Sequence, residues 1–230
     1  MWKSKTSLSV DPGLRLAALA ALSALLSGCM TSRIEQERRT FTGVQEGESM
    51  VILARSYHAG HATEANFVDC VYDELSSGSR PFSIYEDARF LDDFYPHFEP
   101  RTAPTSPGDL PDLLQSPPVS KALAEAGIRY LVWVSGDTET LDGGGGISCA
   151  VGPGGGGCYG LTWFEKDSDY QATVWDLQQL TSAGSVSADI NGMSVIPAVV
   201  IPIPLIAPTQ TTACKRLANQ LRVFLTDAAT

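Results

Sequence analysis

Positive charge is scarce in this chain: 16 lysines and arginines stand against 26 aspartates and glutamates, a formal net charge of −10. That balance excludes an electrostatic nucleic-acid surface and a polybasic membrane-docking face. Long apolar runs are missing as well. The run Leu16–Leu26 has eleven residues, and a helix needs about twenty to cross a bilayer core. Catalytic signatures are equally thin. There is no Gly-x-Ser-x-Gly, and the glycines of Gly152–Gly157 lack the Lys-Ser/Thr of a P-loop and lead toward a strand rather than a helix. Adjacent acidic pairs, Glu86-Asp87 and Asp92-Asp93, point apart on a helix and read as a solvated face. Only three histidines occur, and no Cys-x-x-Cys. The expectation is a protein that is not an enzyme and carries no cofactor.

What the chain does have begins with an address. Lys3, Lys5 and Arg15 precede the short apolar core, and Leu26-Ser27-Gly28-Cys29 follows it. A basic start, a short apolar stretch and a small-residue cleavage site describe a removable signal peptide. The cleavage site resembles the lipobox of bacterial lipoproteins. The resemblance implies that residues 1–28 are removed and that Cys29 becomes a lipidated N-terminus, held by acyl chains in the membrane. Met30 at the next position favours the outer membrane in the sorting rule of that class, with the body facing the periplasm. Removal of Lys3, Lys5, Arg15 and Asp11 leaves 13 basic and 25 acidic side chains, a net charge of −12. Residues 29–48 are polar and charged and read as a lipidated tether, leaving 49–230 as one domain.

Four further cysteines remain: Cys70, Cys149, Cys158 and Cys214. An even number in an exported protein points to disulfides, with three pairings possible. Cys149 and Cys158 flank a glycine-rich stretch too flexible to hold its ends together unaided, which favours pairing them. Cys70 is then left with Cys214. Zinc is the competing reading, weakened by the ligand spacing and by an oxidising compartment.

Along the domain, Met50–Ala54 is an apolar strand buried on both faces. Phe67, Cys70, Val71 and Leu75 form one stripe of a helix over 63–75. A short strand over 82–85 and a short helix over 86–95 follow. Seven prolines between Pro96 and Pro118 mark a loop with one turn at Leu110–Leu114. Ser116, Pro117 and Gly127 then frame a helix as N-cap, first residue and C′ residue. Ile128–Val134 is a strand, 143–160 a glycine-rich excursion, and Tyr170–Leu177 and Ser185–Ile190 are paired strands. The closing helix spans 211–225 and buries Ala213, Cys214, Leu217, Leu221 and Phe224. Cys70 and Cys214 thus lie on two amphipathic helices that pack on the same sheet, a second reason to pair them. The fold class is α/β: a single, three-layer-like, disulfide-stapled domain with a mixed sheet and amphipathic helices.

This order resembles the α/β module shared by the amino-terminal domain of the Tol-system translocation protein and by curli-secretion-type lipoproteins. The residues carrying the resemblance are Met50-Val-Ile-Leu-Ala54, Ala126-Gly-Ile-Arg-Tyr-Leu-Val-Trp-Val134 and the hairpin Val174-Trp-Asp-Leu-Gln-Gln-Leu-Thr-Ser-Ala-Gly184, followed by the closing helix. It implies a non-catalytic module that assembles with envelope partners. Neither the glycine-rich nor the proline-rich segment shows the alternation of transmembrane barrel strands.

Two candidate sites stand out. His58, His61 and Glu64 could share a metal, although no fourth ligand is evident. The apolar segment Val195–Ile206 contains Pro197, Pro202 and Pro204, which forbid a spanning helix or a central strand. Inside, it would cover the core as an irregular strand, the leading expectation. Outside, Val199, Val200, Ile201 and Ile203 would form a partner-binding patch. The leading functional expectation is a membrane-anchored interaction or assembly module with an envelope protein partner. A periplasmic metal or small-ligand binder is the alternative.

Overall fold

The computed structural model describes residues 30–45, 47–54, 63–78, 81–98, 102, 104 and 107–226. Six strands make one mixed sheet: β1 (Met30–Arg38), β2 (Ser49–Leu53), β3 (Ile84–Tyr85), β4 (Ile128–Gly152), β5 (Gly155–Asp176) and β6 (Thr181–Pro202). Their order across the sheet is β1-β6-β5-β4-β2-β3. The β3–β2–β4 end is parallel and the β4–β5–β6–β1 end antiparallel. The α-helices are α1 (Ala65–Ser76), α2 (Asp87–Asp93), α3 (Leu110–Leu114), α4 (Pro117–Glu125) and α5 (Thr209–Thr226).

The period-two pleat divides the core. Met50 and Ile52 on β2, with Tyr130, Val132 and Val134 on β4, face α1 and α5. Val51, Leu53, Leu131 and Trp133 belong to a second cluster with Phe90 of α2, Leu114 of α3 and Leu123 of α4. All five residues of β2 are buried, as its uninterrupted apolar run requires. Gly127 ends α4 at φ +68°, a left-handed C′ position that a Cβ would strain. Ser116 sits before α4 but caps it only through its backbone carbonyl, which accepts from Val119 and Ser120.

Both disulfides pair as expected. Cys70–Cys214 joins α1 to α5 across 144 residues with Cα atoms 6.3 Å apart. Cys149–Cys158 closes nine residues with Cα atoms 4.0 Å apart.

Three expectations are corrected. Residues 30–38, expected as a free tether, form β1, paired from Met30 opposite Gly192 to Arg38 opposite Gly184. The glycine-rich stretch is no loop excursion. It is the far half of a long β4–β5 hairpin that turns at Pro153-Gly154, with Cys149 directly opposite Cys158. The proline-rich apolar segment does not cover the core: β6 continues through it to Pro202, and Val199, Val200, Ile201 and Ile203 are 74%, 65%, 64% and 53% exposed. Prolines are tolerated there because, among the described residues, β1 pairs with β6 no farther than Gly192, and beyond it β6 is flanked only by the short return segment around Leu205. The Pro197 carbonyl accepts from the Ile203 N–H on the side away from β5, and the missing proline N–H falls on that same side.

Candidate functional site

Cys29, His58 and His61 lie outside the described residues. Glu64 is described, and its carboxylate is already engaged. It accepts from the Thr138 backbone N–H at 2.9 Å and from the Tyr170 hydroxyl at 2.9 Å. Tyr170 is fully buried and stacks on Phe67 with ring centroids 3.5 Å apart. Thr138 Oγ1 lies 2.8 Å from both the Tyr170 hydroxyl and Ser168 Oγ, and Ser168 donates to Thr209 at 2.9 Å. Burial pushes the Tyr170 hydroxyl up to about 12, and the Glu64 carboxylate adds to that, so it remains a proton donor. The network knots the start of α1, the middles of β4 and β5 and the start of α5. Glu64 therefore acts as a structural acceptor. Among the described residues, no group of three or more His, Cys, Asp or Glu is placed to hold a metal.

Beyond this knot the three longest strands leave the body as an arm. Gly136, at φ +119°, marks the departure of β4: a Cβ there would lie 2.1 Å from the Asp169 carbonyl oxygen. The arm comprises Gly143–Gly152, Gly155–Phe164 and Met193–Pro202, ten residues from each strand, plus a return segment in which Leu205 bridges to Val195. Neither 143–164 nor 190–214 contains an aspartate, glutamate, lysine, arginine or histidine. Along β5 the arm alternates in side-chain size, with Tyr159, Leu161 and Trp163 on one face and Cys158, Gly160 and Thr162 on the other. Tyr159 is 80% exposed and Val151 91%. Val200, near the tip, adopts φ +80°, a conformation that a β-branched residue rarely holds.

The body side of the same face is acidic. Asp137, Asp169 and Asp189 stand opposite one another across β4, β5 and β6. Asp169 holds its proton above the ordinary carboxylate range, first through desolvation and then through the charges of Asp189 and Asp137. Asp167 is raised by desolvation first, then by Asp189 and Asp169. A raised folded-state value means the native state binds more protons between 3.8 and that value, so stability falls as pH rises through the window. The melting temperature is therefore expected to be higher at pH ~4.5 than at pH ~7. Asp169→Asn should raise it at neutral pH and flatten the difference. Each opposed pair is worth about 0.2–1 kcal/mol, toward the lower end because Asp169 and Asp189 are exposed. A melting temperature that drops on mild acidification would contradict this account of the acidic row.

A cavity of about 170 Å³ lies at the carboxyl end of β2, between α1 and α2, lined by Leu53, Val68, Leu91, Phe98 and Trp133. Its polar lining includes Thr63, Asp69 and Asp87, which form no nucleophile–base pair. The exposed arm was missed by sequence reasoning. Its available signals were Pro153-Gly154, centred between Cys149 and Cys158, and the long absence of charge on either side.

No protein-family model matches this chain, and no curated protein matches it. Among solved structures it is similar to the PelC dodecamer from Paraburkholderia phytofirmans and to a form of that dodecamer carrying one leucine-to-methionine substitution. The identities are 9% and 10%, with 86% of this chain and 100% of the other covered in each case. Both similarities have a TM-score of 0.40, a level from which nothing about this chain's function follows.

Proposed function

We propose that this protein is a membrane-anchored, non-catalytic envelope module that works by contact and assembly, with the three-stranded arm as its contact surface. The observation carrying the proposal is the arm itself: an uncharged, largely exposed β-structure projecting from an acidic body. Soluble monomers rarely expose apolar patches larger than a few hundred Å² without using them. The lipobox-like Leu26–Cys29 supplies the anchor in this reading, and the body, read as three-layered with helices on both faces of the sheet, supplies a rigid mount. The Glu64–Tyr170 knot fixes the arm's root, so the contact surface is pre-organised.

Chemical crosslinking of the lipidated protein in intact cells tests this. The wild type is expected to give defined species above the monomer mass. Val200→Asp/Ile201→Asp should lose them while keeping the melting temperature of the body, because exposed substitutions change stability by roughly 0.5 kcal/mol or less. Crosslinked species that survive in the double variant would remove the arm from the role of contact surface.

A further inference from the structure

We infer that the cavity at the carboxyl end of β2 is a binding site for a small organic cation, a single ring or compact aliphatic body carrying one protonated amine. This goes beyond the contact role of the arm and does not depend on it.

Topology sets the place. β2 lies between β3 and β4, and all three run parallel. The chain leaves the carboxyl end of β2 through α1, whose Phe67, Val71 and Leu75 pack with Met50 and Ile52 on one face of the sheet. It leaves β3 through α2, whose Phe90 packs with Val51 and Leu53 on the other face. Neighbouring strands that send their connections to opposite faces leave a crevice between the two helices, the position where open parallel sheets hold ligands. The cavity occupies that crevice, with Val68 of α1 and Leu91 of α2 in its walls.

Size and lining select the occupant. A volume of about 170 Å³ is close to that of an engineered apolar cavity that takes up benzene, roughly 150 Å³. Leu53, Phe98 and Trp133, only 8%, 3% and 6% exposed, offer the ligand aliphatic and aromatic carbon. The exposed Asp69 and Asp87 stand at the rim, and the described lining holds no lysine, arginine or histidine. Helix α1 has no basic residue, and Arg89, the one cation of α2, is held by Asp93 and the Tyr85 ring. Asp87 also accepts from the Ala88 N–H at 2.7 Å, so part of its charge serves the start of α2. The start of α1 contributes about half a positive charge, which two full carboxylates outweigh. An anion would therefore meet net repulsion. An ammonium is drawn to the carboxylates while its ring buries against Trp133 and Phe98.

Trp133 reports on the cavity directly. The full chain, labelled with fluorotryptophan, would be titrated with benzylamine, benzyl alcohol and benzoate and followed by fluorine NMR. Trp133→Phe and Trp163→Phe assign the resonances of the cavity and of the arm. Benzylamine should shift the Trp133 resonance at about 1 mM or below, the range open to so small a ligand. Benzyl alcohol, its neutral isostere, should bind about tenfold more weakly, and benzoate more weakly still. Asp69→Asn should cost benzylamine about tenfold and leave benzyl alcohol unchanged. Asp69 is exposed, so that replacement spares the fold. Leu91→Trp should fill the space and abolish binding of both, with circular dichroism confirming a folded body. If Trp133 is unmoved by all three probes up to about 10 mM, the cavity holds no such ligand and the inference is overturned. Equal binding of benzylamine and benzyl alcohol, or of benzylamine by wild type and Asp69→Asn, overturns the cationic class. A shift at Trp163 with none at Trp133 puts the probe on the arm and overturns it as well.

Discussion

Replacing Cys70 and Cys214 together by alanine is expected to destabilise the protein by about 5 kcal/mol. The bond spans 144 residues, so its removal restores to the unfolded chain the entropy of a very long closed loop. Cys214 is buried and Cys70 packs at the edge of the same cluster, so the native state also loses packing between α1 and α5. A domain of this size has roughly 5–15 kcal/mol of total stability, and the variant would be near its unfolding threshold. In a chain of this length each kcal/mol moves the melting temperature by about 2–4 °C. Thermal and urea unfolding of the variant, beside the wild type with and without reductant, measures the effect. A variant within ~1 kcal/mol of wild type would show that α1 and α5 dock by packing alone, and that loop-closure entropy is the wrong account. The Cys149–Cys158 bond closes only nine residues, so about 2.5 kcal/mol is the upper estimate for Cys149→Ala/Cys158→Ala. Beside that smaller loss in global stability, the double variant should show faster hydrogen exchange in the arm, where Cys149 and Cys158 face each other in register.

The body of the fold was legible because burial forces its patterns. Met50–Leu53 and Ile128–Val134 are continuous apolar runs since alternate residues of each enter two separate buried clusters. The stripes through Phe67, Val71 and Leu75 and through Cys214, Leu217 and Leu221 are the inner faces of α1 and α5. Their facing cysteines followed from those stripes. β1 was illegible for the complementary reason. Met30-Thr-Ser-Arg-Ile-Glu-Gln-Glu-Arg38 buries no residue fully, so it carries no apolar period and is held by its backbone ladder to β6.

The arm escaped for a different cause. Glycine has poor intrinsic strand preference, and four successive glycines read as a flexible loop. Here Gly143–Gly146 pair opposite Phe164–Leu161, and a Cβ on Gly143 would fall 2.0 Å from the Trp163 carbonyl oxygen. Strand pairing therefore overrides local propensity, and the glycines serve close approach of two backbones. The proline-rich segment misled in a similar way. Its apolar residues suggested burial, yet the described residues leave Val199, Val200, Ile201 and Ile203 exposed. An apolar sequence states a preference for an apolar neighbour and does not say which molecule supplies it.

Arg129→Met is expected to destabilise the protein by about 3–5 kcal/mol, the range for removing one partner from a buried ion pair. Arg129 donates to Asp176 at 2.7 Å, and the Asp176 side chain is only 1% exposed. Glu48, at 3.4 Å, and Gln178 also accept from Arg129. Burial alone would lower the Arg129 guanidinium, but its hydrogen bond and attraction to Asp176 carry it above its ordinary value. The other oxygen of Asp176 accepts from the Gln178 and Gln179 backbone N–H groups at 2.9 and 3.0 Å, shaping the turn between β5 and β6. Losing Arg129 would leave that carboxylate buried without its cation. Asp176→Asn keeps an acceptor for the turn while removing the charge, and should cost less than Arg129→Met. In the double variant the stranded charge is gone, so its loss should fall below the sum of the two single losses. Equilibrium unfolding of all four proteins measures the coupling directly. Strict additivity would mean that Arg129 and Asp176 are held independently, Arg129 by Glu48 and Gln178 and Asp176 by the turn. A coupling of about 1–3 kcal/mol is expected. It would identify the pair as the clasp that closes the β5–β6 turn onto the start of β4, at the end of the body away from the arm.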